Sequence, residues 1–388
     1  MKTKYARYDA LHNDHNVYIC GAGFSVPGGI PTVKDFFNKM RDAYDWLVEK
    51  ERFPEADAIK DVISFRIHSS AAGYWTKLDL ENIEELFSLA AASSKPDLLK
   101  KIPIAISATI SYSRIINTSN SRSIGSRTTA SNLAAFPYFE KVPLIGMPDV
   151  ELSISSYGHH VGKLLGVFQD GTIKGENTFI TFNYDTLIEE GLTDIKVPFT
   201  YSFANKTTNN EIKVHDYRAD SKVKVLKLHG SMNWAKKIGG KGRRFTLYDD
   251  YDIVREKGFI PSIVPPTWQK DLSGPLTSIW GKAVEAIGCA TRLIIIGFSI
   301  PKTDTHFKYL ISAGLRSNAS LRSIHIVDPD SSEDYQNRLY EIIPNDFEKR
   351  GILKFHKQHF QRFTTYDSGP NVFDVGRPWN RDVFQRWS

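Results

Sequence analysis

The chain has little cysteine, no long apolar run and no strong charge imbalance. Only two cysteines, Cys20 and Cys289, occur among 388 residues. Two thiols cannot make a four-cysteine zinc site, and this pair is too far apart for the usual site of two cysteines and two histidines. A disulfide framework is excluded as well. Each cysteine adjoins an apolar strand or helix pattern, so each is expected as a small buried hydrophobe. No uncharged apolar stretch reaches the ~18 residues that cross a bilayer. The longest, Leu293 to Gly297, has the length of a strand. The N-terminal MKTKYARYDALHNDH lacks the apolar core of a secretory signal. These absences predict a soluble cytoplasmic protein without membrane contact or bound metal. Lys and Arg number 50 against 44 Asp and Glu; a net charge of +6 permits contact with a polyanion without arguing for one.

Apolar residues make up 41% and charged residues 24% of the chain, proportions that exclude a disordered, collagen-like or coiled-coil protein. At about 150 residues per domain, the length allows one large domain or two to three smaller ones. The opening segment reads strand, glycine loop, helix. NVYIC at Asn16–Cys20 is followed by GAGFSVPGGIPT at 21–32, then by a stretch with Val33, Phe36, Phe37, Met40, Tyr44 and Leu47 on one helical face. Thr32 is the expected N-cap. From about Arg52 to Val161 the pattern is helical, without convincing strands. LDLENIEELFSLAA repeats apolar residues at helix spacing behind Asp79, the expected cap. KIPIAISATISYSRII is a second apolar helix, interrupted early by Pro103. Between 117 and 131, eight of fifteen residues are Ser or Thr, too polar to bury a core, so this stretch reads as a mobile surface loop.

After Leu164 strands and helices alternate. Strands are expected at Thr178–Phe182, Lys222–Leu228, Arg292–Gly297, Ser323–Val327 and Ile352–Phe355, and helices at Tyr184–Gly191, Pro275–Ala290, Asp304–Gly314 and Ser331–Ile342. This rhythm predicts an α/β fold, a Rossmann-like doubly wound parallel sheet, with a helical insertion after its first strand–loop–helix unit. The core is then 1–51 and 162–365, the insertion 52–161, and 366–388 a C-terminal arm rich in Gly, Pro, Asn and Arg. KKIGGKGRR at 236–244 reads as a solvated hairpin turn, with a phosphate-contacting loop as the alternative.

Chemistry concentrates where strands end, because ligands of open α/β sheets bind outside the carboxyl ends of the strands. Gly21-Ala22-Gly23, with Ser25, Gly29, Ile30 and Pro31 behind it, directly follows the first strand. Glycine lets backbone approach a ligand, and a helix N-terminus offers free amides to a pyrophosphate; the same motif alone also suits a tight strand-to-helix turn. Thr181-Phe182-Asn183-Tyr184-Asp185 ends another strand. An amide there holds a ribose hydroxyl or a water, or caps the next helix. Asp185 reads more readily as a local hydrogen-bonding residue than as a base. His229, in Leu228-His229-Gly230-Ser231, also falls at a strand end; histidine titrates near neutral pH and suits proton removal from a hydroxyl or water. Gly297 and Ser299 follow a further strand and suit a cofactor ribose or phosphate. Asp328, in Val327-Asp328-Pro329, accepts from adenosine hydroxyls or caps the next helix. His306, inside an expected helix, reads as structural.

The ordered set Gly21-Ala22-Gly23-Phe24-Ser25 with Gly29-Ile30-Pro31, Thr181-Phe182-Asn183-Tyr184-Asp185, His229-Gly230 and Gly297-Phe298-Ser299 resembles the NAD-binding domain of sirtuins, over about 1–50 and 165–360. The resemblance implies NAD+ as substrate. Gly21, Ala22, Gly23, Ser25, Ile30, Pro31, Thr181 and Asp185 would bind it, with Gly297, Ser299 and Asp328 toward the adenosine half. Asn183 and His229 would be the catalytic pair. The chain departs from protein-deacylating sirtuins in three ways. It has no cysteines for their zinc ribbon, it carries Thr32-Val33-Lys34-Asp35-Phe36 where they carry Asp-Phe-Arg, and it has T-F-N for T-Q-N. In these departures, and in the acidic segment Leu78 to Glu84, it is similar to prokaryotic sirtuin-like effectors of antiviral defence that hydrolyse NAD+. Among these it is most similar to the stand-alone partner of HerA-type ring ATPases. The function so implied is an NAD+ hydrolase, homo-oligomeric and joined to such an ATPase, that splits the nicotinamide–ribose bond. A protein deacylase, a non-catalytic sensor of NAD or ADP-ribose, and a nucleic-acid-binding module are the alternatives.

Overall fold

The computed structural model describes residues 15–93, 95–123, 138–142, 150–154, 156–165, 173, 175–203, 221, 223–236, 245–267, 275–300, 305–330 and 332–365. In chain order the strands are β1 (His15–Cys20), β2 (Tyr138–Val142), β3 (Val150–Ile154), β4 (Glu176–Thr181), β5 (Phe199–Thr200), β6 (Val223–Lys227), β7 (Gly230–Lys236), β8 (Phe245–Leu247), β9 (Ile260–Ile263), β10 (Arg292–Ile296), β11 (Ser323–Val327) and β12 (Leu353–His356). Seven of them form one sheet in the order β12-β11-β10-β1-β4-β6-β5, and its neighbours pair in parallel. Its central strands are apolar along nearly their whole length, as strands covered on both faces require. Val17 to Cys20 and Leu293 to Ile296 are all buried. The doubly wound, Rossmann-type α/β sheet expected from the alternation is thus the fold.

Register decides which residues meet. Cys20 lies beside Thr181 on one side and Ile296 on the other, Lys227 lies beside Thr181, and Val327 beside Ile296. Gly21, Phe182, Leu228, Gly297 and Asp328, the residues that follow, therefore leave the sheet at one edge. The chain runs outward from β1 through β4 and β6, then returns to place β10, β11 and β12 on the other side. The winding reverses between β1 and β10, and such a reversal opens a crevice at the carboxyl ends.

Helices Val33–Glu49, Phe53–His68 and Pro96–Ser123 pack together, burying Phe37, Met40, Ile59, Val62, Ile102 and Ile106 in the same hydrophobic core as the sheet. The last of these helices continues past Pro103, against the expected interruption. An internal proline costs about 3 kcal/mol, but Leu98, Ile102, Ala105, Ile106, Ala108 and Ile110 are buried, and each large side chain among them returns about 1.5–3 kcal/mol. The helix also continues to Ser123, so 117–123 is not a loop. Thr109, Ser113 and Thr118 donate their hydroxyls to the carbonyls of Ala105, Thr109 and Arg114, one turn back, which satisfies polar residues without leaving the helix. Residues 124–131 lie outside the described residues, as does the arm 366–388.

The insertion is not wholly helical. β2 and β3 pair as an antiparallel hairpin, and the alternation Val150-Leu152-Ile154 was its signal. Cap positions also differ from expectation. Thr32 sits at an N-cap but gives its hydroxyl to the Asp35 carboxylate. The helix expected behind Asp79 begins at Ile83, capped by Asn82, whose side chain accepts from the Glu84 amide. Asp79 accepts instead from the Glu81 amide in the preceding turn. After the histidine strand, β7 turns back antiparallel between β8 and β9, a small sheet the alternation did not suggest. Lys236 pairs with Phe245, so the basic 236–244 segment, itself outside the described residues from 237, connects two antiparallel strands. Cys20 is buried, but Cys289 is exposed at the end of helix Pro275–Cys289, where Ala286 and Ile287 take the core face.

Candidate active site

The turn after β4 is built around one carboxamide. Asn183 donates both hydrogens of Nδ2, one to the Gly21 carbonyl and one to Ser25 Oγ, each at 2.8 Å. Ser25 in turn donates to Asp185 Oδ2 at 2.7 Å, and Asp185 Oδ1 accepts from the Leu187 amide at 3.1 Å. The Asn183 amide donates to Thr181 Oγ1 at 3.0 Å, and that hydroxyl donates to the Cys20 carbonyl at 3.2 Å. Donor and acceptor roles now run one way. A carboxylate can only accept, so Ser25 must donate to it and accept from Asn183. The nitrogen end of the carboxamide is thereby held inward and its oxygen is the end left for a ligand. Ser25, Thr181 and Asp185 are buried while Asn183 is half-buried. Ser25 and Asp185 thus hold the Asn183 carboxamide in place, and Thr181 holds its backbone amide.

His229 follows β6 at the point where the chain reverses into β7. Gly230 makes the reversal, with φ +79°, and a Cβ there would lie 2.1 Å from the Ser262 carbonyl oxygen. The His229 carbonyl accepts from the Val264 amide at 2.8 Å. Its ring lies 5.2 Å from Phe182, 6.4 Å from Tyr184 and 6.5 Å from Trp280, centroid to centroid. Phe182 and Tyr184 are the two neighbours of Asn183, so the turn after β4 packs against the imidazole that follows β6. Tyr184 is fixed by donating to the Val264 carbonyl at 2.8 Å, and Trp280 Nε1 by donating to the Leu228 carbonyl at 3.0 Å. Phe298 and Phe307 extend the apolar wall from Phe182, and His306 packs its ring 5.9 Å from Trp280.

The glycine loop meets this turn through Gly21 and Ser25. Its glycines answer to protein backbone first. A Cβ on Gly21 or Gly23 would lie 2.5 Å from the Gly297 carbonyl oxygen or 2.7 Å from the Gly297 Cα, and Gly297 itself has φ +57°. The Gly21 and Gly23 amides donate to the Ile296 and Gly297 carbonyls at 2.9 and 2.8 Å. The helix that opens immediately after Gly21 is only Ala22–Ser25; the long helix begins at Val33. The glycine segment is a compact turn locked onto the end of β10, and the long helix starts at Val33 behind Thr32, as the sequence pattern placed it. Ala22 is exposed on it, Ile30 buried and Pro31 half-buried.

Ser299 is exposed just past Gly297, and Arg338 donates to its carbonyl at 3.2 Å. Asp328 is half-buried past β11, where it accepts from the Asp330 amide at 2.9 Å. Burial pushes the Asp328 carboxyl up from its ordinary value. Both stand at the same edge of the sheet, across β1 from Asn183.

Two features escaped the sequence reading. One is the aromatic wall around His229, drawn from residues more than a hundred positions apart. The other is Lys227, buried two residues before His229. Its Nζ donates to the Asp185 carbonyl and, at 3.0 Å, to Glu189 Oε1, which also accepts from Tyr201 at 3.2 Å. The signal was the spacing in VKVLK, where Lys227 falls three residues after Lys224 and so on the opposite face of the strand. Among the described residues, no group of three or more His, Cys, Asp or Glu side chains is placed to hold a metal ion, and no helix is long and apolar enough to cross a membrane.

Residues 177–345 match the SIR2-like domain family. The matched span begins in β4 and carries Asn183, His229, Gly297 and Asp328. No significant match is found among curated proteins. Similar solved structures include a Sir2 enzyme described for its mechanism and regulation, with 13% identity and TM-score 0.40 over 99% of this chain and 100% of that one. Sir2 with a peptide and NAD+ shows 14% identity and TM-score 0.37 over 94% and 96%. A Sir2 homologue with ADP ribose shows 14% identity and TM-score 0.40 over 100% and 98%.

Proposed function

We propose that the chain is an NAD+ glycohydrolase that splits the bond between nicotinamide and C1′ of its ribose. The observation that carries this reading is the Asn183 carboxamide, oriented by Asp185 through Ser25 with its oxygen outward, in a turn whose Phe182 and Tyr184 pack against the His229 ring of the neighbouring strand end. The residues at this edge fit a dinucleotide. The aromatic wall suits a flat nicotinamide ring, and Ser299 and Asp328 offer polar groups to the adenosine half. The SIR2-like match over 177–345 spans the turn and the histidine.

Chemistry follows from the leaving group. When the C1′–N bond breaks, its electron pair neutralises the pyridinium nitrogen, so nicotinamide departs uncharged and no general acid is required. The developing centre at C1′ is oxocarbenium-like. A water oxygen attacks C1′ and its proton passes to His229, giving ADP-ribose. Asn183 Oδ1 accepts a hydrogen bond from that water or from a ribose hydroxyl and so fixes the approach. Phe182, Tyr184 and Trp280 exclude bulk water around the imidazole.

The wider assignment, an effector of antiviral defence that assembles with itself and with a HerA-type ATPase, is supported by the resemblance alone. A hydrolase active by itself would deplete its host of NAD+, so activity depends on that assembly. The test is nicotinamide release, followed by chromatography with and without the ATPase. His229→Ala and Asn183→Ala should each lower it by about 100-fold or more while thermal stability is kept. Turnover retained in both variants refutes the site. Full activity of the purified chain alone refutes the dependence on assembly, and acceleration by acylated peptide would favour a deacylase.

A further inference from the structure

The glycine loop has a second side. Where Gly21 and Gly23 press on the end of β10, Pro27 to Gly29 press on the insertion. Gly28 donates its amide to the Tyr157 hydroxyl at 3.1 Å, and that hydroxyl donates to the Phe24 carbonyl at 2.8 Å. One buried oxygen thus joins both ends of the span Phe24–Gly28 and encloses Ser25, the acceptor for Asn183. Gly29 rests on the long helix Pro96–Ser123. A Cβ at Gly29 would lie 2.5 Å from the Asn117 Cβ and 3.0 Å from the Ser113 carbonyl oxygen. Asn117 donates to the Pro27 carbonyl at 3.4 Å. The helix is moored beside this contact by Arg114, which is ion-paired with Glu190. The Phe24 ring packs at a tilt against Tyr157, 5.6 Å away, and against Phe360 of helix Phe360–Thr365, 4.5 Å away.

With the glycine loop Gly21–Ser25 taken as the pyrophosphate contact that the sequence motif implies, we infer that Tyr157, seconded by Asn117, is a positioning residue for the dinucleotide: it sets the shape of that loop from the far side and thereby the affinity for the ADP-ribose half. The inference rests on the nucleotide reading above. It gives the insertion a part in binding without any contact to substrate. A buried amide and carbonyl lose their common partner if the hydroxyl is removed, and the loop must relax to satisfy them.

The test uses the full chain and ADP-ribose as the probe, with affinity read by calorimetry and stability by thermal unfolding. Tyr157→Phe keeps the ring and should weaken ADP-ribose by about tenfold. Tyr18→Phe is the matched control. Its buried hydroxyl donates to the Leu164 carbonyl of Tyr157's own helix at 2.8 Å, away from the loop. It should cost similar stability but leave affinity within about twofold. Asn117→Ala, on the helix surface, should weaken binding by about threefold and serves if Tyr157→Phe does not fold. Unchanged affinity in both Tyr157→Phe and Asn117→Ala, or equal losses in Tyr157→Phe and Tyr18→Phe, overturns the inference alone. Failure of the unsubstituted chain to bind ADP-ribose overturns the nucleotide reading and this inference with it.

Discussion

Lys227 and Glu189 form an ion pair with side chains 1% and 6% exposed, 3.0 Å apart. Replacing lysine by methionine keeps most of the stem and removes the charge. The Glu189 carboxylate then stays buried without its cation, and the Asp185 carbonyl loses a donor. Breaking one half of such a pair costs about 3–5 kcal/mol, against a total stability of about 5–15 kcal/mol. At about 2 °C per kcal/mol the melting temperature should fall by roughly 6–10 °C. The double variant Lys227→Met/Glu189→Leu leaves no buried charge. Apolar replacement of a whole pair is often neutral or better, so most of the loss should return, less the ~1 kcal/mol of the lost hydrogen bond. The pH dependence has a definite sign. Burial raises the Glu189 carboxyl above its ordinary 4.5, with the charge of Lys227 pulling it back down. Without the lysine it rises further. A raised carboxyl favours the folded state while protonated, and this advantage is lost as pH climbs through the folded value. The deficit of Lys227→Met should therefore be smallest near pH 4.5 and grow toward pH 8. Urea unfolding of the four members of the cycle at both pH values measures it. A single variant within about 1 kcal/mol of the parent, or a double variant no better than the single, would refute the argument.

Gly230→Ala forces a side chain into φ +79° and to 2.1 Å from the Ser262 carbonyl oxygen. The β7–β9 pairing must shift, with a loss of about 2–4 kcal/mol in urea unfolding, and nicotinamide release should fall because His229 moves with the turn. Burial lowers the histidine pKa values of His15 to about 4 and of His160 to about 3. Histidines kept neutral by the fold stabilise it above their ordinary 6.5 and lose that contribution as pH falls through the folded values. Stability should therefore drop between pH 6.5 and 4. His160→Asn, which can still meet Thr364, should flatten that slope by an amount on the order of 1–3 kcal/mol, and an unchanged slope would show that His160 takes no part.

The strands of the central sheet were legible because a strand covered on both faces must be apolar throughout. Runs such as Leu293–Ile296 are short, β-branched and followed by glycine. For the same reason the functional positions were legible as places. Asn183, His229, Gly297 and Asp328 each come directly after such a run, and a parallel sheet sends all these ends to one edge. Local pattern read the helical insertion less well. Its Ser and Thr residues can bond back along a helix as readily as they can face water, and the buried face of Pro96–Ser123 outweighs Pro103.

By itself, the sequence determined that this is a parallel α/β protein with an amide and an imidazole at neighbouring strand ends, since strand length, apolar runs and terminal glycines are local properties. Only the tertiary structure decided what each polar residue of those motifs faces. Ser25 and Asp185, 160 positions apart, bond to each other and turn Asn183 outward. Gly21 and Gly23 meet Gly297, and Phe182 and Trp280 close around His229. Such partners are set by strand register and by the packing of distant helices, which no window along the chain contains.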